Sequence, residues 1–84
     1  MVNSMAAKAF ILIETVVGRN KGVVAALKQL EGVKSVDTVT GPYDVIATVE
    51  GETINVIGNL VTPKIHPIAG ISRTVSCLVM EDRR

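Results

Sequence analysis

The sequence predicts an α+β domain with elements in the order β-α-β-β-α-β. Three observations carry that prediction. Runs rich in β-branched residues alternate with two segments of helical period. Most glycines and prolines fall at or near the ends of these segments, with Gly58 and Pro63 as interior exceptions. "LEGVKSVDTV" and "IAGISRTVSC" also echo each other, aligned at Gly32 and Gly70, and each reads as a helix end, a glycine and a strand. Two βαβ halves joined in this way make the ferredoxin-like split βαβ fold. Its four-stranded antiparallel sheet carries both helices on one face.

The first strand is "KAFILIETVV", Lys8 to Val17. Ala9, Ile11, Ile13, Thr15 and Val17 share one face. Phe10, Leu12 and Val16 share the other, broken only by Glu14. A strand with two apolar faces is covered on both sides. Gly18-Arg19-Asn20 ends the strand, with Asn20 as the N-cap of a helix. In "KGVVAALKQL" the stripe is Val23, Ala26, Leu27 and Leu30, and Gly32 is its C-cap.

"VKSVDTVT" and "YDVIATVE" are strands two and three, joined by a loop of about two residues, Gly41-Pro42, as an antiparallel hairpin. "ETINVIGNLVTPKIHPI" is the second helix, started by Glu52 or Thr53, with Ile54, Ile57, Val61, Ile65 and Ile68 as its stripe. Gly58 weakens it. Pro63 removes the bond back to Asn59, so a kink or restart is expected near Thr62 and a stop by Pro67. "ISRTVSCLVM" is strand four.

This layout covers one sheet face only. The other is expected to carry Phe10, Leu12, Val36 and Leu78. Hydrophobic residues make up 48% of the 84, a surplus for so small a core. Both facts predict sheet-on-sheet packing against a second copy. Residues 1–7 are expected to form a disordered leader, with Met5 a candidate start, 8–81 a single domain and 82–84 a charged tail. No apolar run approaches the length of a membrane span. The lone Cys77, in "VSCLVM", is expected to be a buried structural thiol in a cytoplasmic protein. The formal net charge is +1 and the basic residues are scattered, so the chain has no electrostatic footprint for nucleic acid.

Catalytic constellations are scarce. The single histidine, His66, has no nucleophile or carboxylate at a local motif spacing and reads as a partly exposed helix-terminal residue. One His and one Cys make no zinc site, and no cofactor is expected. The hairpin "TGPYD" is different. Thr40, Tyr43 and Asp44 bring hydrogen-bonding side chains to a tip where Gly41 is free to take positive φ and Pro42 is rigid. Ordinary turn chemistry explains an Asp beside Gly-Pro. Yet the tip offers both an acceptor for an ammonium and donors for a carboxylate, which an amino-acid zwitterion requires.

"AFILIET", "LEGVKSVDTVTGPYDVIATVE" and "KIHPIAGISRTVSCLVM" resemble the effector-binding domain of the Lrp/AsnC family of transcription regulators. The likeness runs from Ala9 to Met80. "VTGPYDVIATVE" is its most specific piece, and Ile65 to Thr74 is a second anchor. The resemblance implies the fold above, dimerisation through the sheets and assembly into higher rings, often octamers. It also implies amino-acid effectors held between dimers around Gly41 to Asp44. Full-length members carry an N-terminal helix-turn-helix domain, and here only a short leader precedes strand one, as in the family's stand-alone type.

The expected function is therefore a non-enzymatic, oligomeric sensor of an amino acid or similar metabolite, able to pair with a full-length regulator. Its candidate ligand residues are Thr40, Gly41, Pro42, Tyr43 and Asp44, with Thr74 and Ser76 on strand four as weaker candidates. The alternative is a small dimeric ferredoxin-like enzyme, such as a cofactor-independent monooxygenase. The missing catalytic histidine and the 2% aromatic content argue against it.

Overall fold

The computed structural model describes residues 7–80. The chain runs β1 (Ala7–Thr15), α1 (Asn20–Lys28), β2 (Val33–Thr38), β3 (Val45–Gly51), α2 (Ile54–Leu60), a π-helical turn (Val61–Ile65) and β4 (Ile71–Leu78). The antiparallel strands stand in the order β2-β3-β1-β4, so β1 and β3 are central and β2 and β4 are edges. This is the predicted ferredoxin-like architecture. The leader and tail assignments fall, apart from Ala7, outside the described residues.

Alternation along the central strands sorts the two faces. Ala9, Ile11 and Ile13 of β1 and Val45, Ala47 and Val49 of β3 are fully buried against the helices. Val23 and Leu27 of α1 and Ile57, Leu60, Val61 and Ile65 of the second helical segment complete this core. Among the described residues no helix is long and apolar enough to cross a membrane.

The opposite face is bare in the single chain. Phe10 and Leu12 lie there, as expected, and Phe10 is 37% exposed. Val36 and Leu78 do not. Val36 stands opposite the buried Ala47, and Leu78 opposite the buried Ala9. Directly paired residues of antiparallel strands share a face, so both belong to the helix side. For Val36 the cause is a register shift between Val33 and Ser35, which resets the alternation. Ile46, Thr48, Val75 and Cys77 take the bare face instead, paired around Phe10 and Leu12. Cys77 is thus exposed rather than buried. Its strand is an edge, and its parity puts it on the side without helices.

Several boundaries differ from the sequence reading. β1 stops at Thr15. Val16 turns out of the ladder to bond the Gly70 carbonyl at 2.7 Å, and Val17 is 97% exposed rather than core-facing. Asn20 is the first helical residue rather than the cap, which falls on Arg19 and has no side-chain bond. α1 ends at Lys28 because Gln29 and Leu30 donate back to Ala26 and Leu27, a tightened last turn; Gly32, at φ 99°, instead leads into β2. Thr53 caps α2 as expected, accepting from the Val56 N–H at 3.2 Å. Ile54 is 60% exposed and Leu60 takes its place in the core. The break expected near Thr62 is a π turn. Pro63 has no N–H to return to Asn59, and the wider turn closes through His66 N–H to the Val61 carbonyl at 2.9 Å.

Gly70 fixes how β4 approaches α1. Its φ is 100°, and a Cβ there would lie 2.8 Å from Arg19 Cβ and 3.0 Å from Val23 Cγ2. Gly70→Ala is expected to lose about 1–3 kcal/mol through backbone strain alone, with the clash in addition. A urea midpoint unchanged from wild type would contradict this.

Candidate functional site

The hairpin tip occupies Val39–Asp44, longer than the two residues expected, because Val39 and Thr40 lie outside β2 and Tyr43 and Asp44 outside β3. Backbone chemistry explains the length. The Asp44 N–H donates to the Ile13 carbonyl of β1 at 2.9 Å, while the Asp44 carbonyl accepts from Val39 at 2.9 Å. Asp44 therefore ties the tip to both neighbouring strands. Thr40, Gly41 and Pro42 project beyond it and are exposed. Gly41 has φ 132°, and nothing lies within 4 Å of where its Cβ would stand, so the space beside the backbone is open.

The Asp44 side chain is anchored, but not locally. Oδ2 accepts the Thr15 N–H at 2.8 Å and lies 3.2 Å from the Thr15 hydroxyl. The β1–β3 ladder ends at Ile13 opposite Val45, so on that side the Thr15 amide has run past β3, and the carboxylate takes the place of a strand partner. The Thr15 hydroxyl also bonds the Asn20 side chain, which links the tip to the start of α1. Among the described residues Oδ1 has no hydrogen-bond partner.

Tyr43 reaches the other way. Its hydroxyl accepts from Arg73 Nη2 at 2.9 Å, and the guanidinium carbon lies 5.5 Å from the ring centroid. Arg73 stands opposite Glu14 across the β1–β4 ladder, with Nε to Oε1 at 3.9 Å. Both side chains are largely exposed, so this ion pair contributes little by itself. Ser72 donates to the Glu14 carbonyl at 3.0 Å. A polar chain thus crosses the bare face from the tip to β4.

Thr74 and Ser76 lie elsewhere. They stand opposite Ile13 and Ile11, on the helix side of β4. Thr74 Oγ1 is 2.7 Å from His66 Nε2 at the end of the π turn. Ile13 is flanked by Val45 on one side and Thr74 on the other, so two strand spacings, roughly 10 Å, separate the tip from Thr74. The two groups therefore stand on separate strands, although the Asp44 carboxylate itself reaches β1 at Thr15. Arg73, Thr15, Asn20 and His66 are absent from the sequence-derived site. Only the pairing register exposes them. Among the described residues no three His, Cys, Asp or Glu are placed to hold a metal.

This geometry can be set beside known proteins. The family model of the Lrp/AsnC ligand binding domain matches residues 8–83. Among solved structures the chain is similar to FFRP-DM1, at 31% identity over 88% of this chain and 99% of that one, with a TM-score of 0.84. It is similar to TTHA0845 from Thermus thermophilus, at 31% identity over 93% of this chain and 98% of that one, with a TM-score of 0.86. It shares the fold of the transcriptional regulator NMB0573 from Neisseria meningitidis, solved as an L-Met complex. That likeness has 18% identity over 93% of this chain and 52% of that one, with a TM-score of 0.82. No curated protein matches. With the family model spanning the whole folded region, and with two structures of its own extent at 31% identity, the chain belongs to the Lrp/AsnC ligand-binding domain family.

Proposed function

We propose that this chain is an oligomeric sensing module for an amino acid or similar metabolite. It acts in the cytoplasm without catalysis. It modulates transcription indirectly, alone or with a full-length regulator of the family. The observation that carries this reading is Asp44. Its Oδ2 is held by Thr15 while its Oδ1 has no partner among the described residues, so a fixed carboxylate at the base of the tip keeps one oxygen for a ligand. That is the arrangement an ammonium needs.

Supporting it are the family, whose domain is a regulatory one, and the L-Met complex of a protein with the same fold. The bare sheet face pairs with a second copy, and dimers meet at their tips to build a ring. The two strand spacings between the backbones of the tip and Thr74 favour a site shared between copies, in which one supplies Asp44 and another the β4 hydroxyls.

A thermal-shift screen of the twenty amino acids tests the reading. A ligand present at 100 times its Kd stabilises the fold by ~2.7 kcal/mol. Asp44→Asn is the decisive variant. Its amide oxygen still accepts from Thr15, so the fold survives, but the charge is gone. Affinity for the stabilising amino acid is expected to fall by about one to two decades, the worth of a hydrogen bond to a charged group. Unaltered affinity by calorimetry would leave Asp44 with a structural role only.

A further inference from the structure

The bond between His66 and Thr74 joins two segments that ordinary packing does not require to be polar. His66 is exposed at the end of the π turn, and its Nε2 lies 2.7 Å from Thr74 Oγ1. Ser76, two residues along β4, shares the face of Thr74. A threonine hydroxyl carries one proton. If Nε2 accepts that proton, Thr74 shows only lone pairs to its surroundings. If Nε2 carries its own hydrogen, it donates to Oγ1, and the Thr74 proton is released outward as a donor. The ring therefore decides whether this part of β4 suits a carboxylate.

We propose that His66 is a positioning residue of the ligand site: it turns the Thr74 hydroxyl into a donor for the carboxylate of an amino-acid ligand whose ammonium is held by Asp44 of another copy. This rests on the sensor reading given above. The imidazolium form has hydrogen on both nitrogens and must donate through Nε2, so carboxylate binding is stronger with the ring charged than with it neutral. The charged surroundings do not compete. Lys64 is the basic residue of the same turn. On β4, Arg73 adjoins Thr74 in sequence, but its guanidinium lies on the opposite face against Tyr43 and Glu14. Thr74's partner on β1 is the apolar Ile13. Among the described residues no carboxylate pairs with the ring.

The test uses the full chain and the twenty amino acids, each screened by thermal shift at pH 5.5 and 8.0 against ligand-free protein at the same pH. For any amino acid that stabilises the wild type, calorimetry is expected to give affinity about tenfold higher at pH 5.5. His66→Gln keeps a hydrogen-bonding group without the titration and should flatten the profile while still binding. Thr74→Val, which suits a strand, should lose affinity at both pH values. The amino alcohol of the same ligand, lacking the carboxylate, should show no pH preference. An unchanged profile in His66→Gln, or tighter binding at pH 8.0, overturns the role of His66 and leaves the sensor reading standing. If no amino acid stabilises the wild type at either pH, both fall together.

Discussion

Ile11→Ala is expected to cost about 2–5 kcal/mol of folding stability, the usual loss on emptying a fully buried aliphatic site. Ile11 sits at the middle of the central strand, with no exposed surface, between Ala47 of β3 and Ser76 of β4. Its side chain points at the helices, beside Ile13, Leu27 and Ile65 in one core cluster. A hydrogen-bonded strand cannot slide inward to refill the space, so the cavity persists. For a domain near the lower end of the usual ~5–15 kcal/mol, a loss at the upper end of the expected cost would leave the variant partly unfolded at room temperature. Urea unfolding monitored by circular dichroism reads it directly. A loss below about 1 kcal/mol would mean that the helices do not cover this face.

The adjacent residue is expected to behave quite differently. Leu12 points to the bare face, between Ile46 and Val75. In one chain Leu12→Glu has a half-open position from which to hydrate its charge. In a face-to-face dimer it would place an uncompensated carboxylate inside an apolar interface, at a cost of several kcal/mol per copy. Leu12→Glu is therefore expected to abolish the dimer, giving a dissociated species or an unfolded one. Sedimentation velocity on wild type and variant distinguishes the cases. A wild type that sediments as a compact monomer, or a variant whose assembly matches wild type, would end the proposal that this face is an interface. The contrast between Ile11 and Leu12 also separates core from interface with two neighbouring substitutions.

Tyr43 and Asp44 were legible as polar residues at a rigid tip, but their partners were not. Asp44 bonds Thr15, 29 positions away in sequence, and Tyr43 bonds Arg73, 30 positions away. No local pattern encodes such pairs, because they follow from strand register. The same is true of His66, which looked like an ordinary helix end until β4 placed Thr74 beside it.

The order of elements, the fold and the family could be read from the residues alone. Those rest on short-range physics: the periods of two and 3.6, the glycines that end elements, and short motifs at the hairpin and at Ile65 to Thr74. The sequence also determined that the second helix must break at Pro63, since a missing N–H is a covalent fact. Only the tertiary structure decided how the break is accommodated, as a π turn. It alone put Val36 and Leu78 on the helix side and Cys77 on the bare face. A shift of one residue in a strand reverses every side chain, and register is set by bulges and partner strands rather than by the strand's own residues. It alone, too, separated Thr74 and Ser76 from the tip, because the width of β1 between them is a property of strand order and not of any segment of the chain.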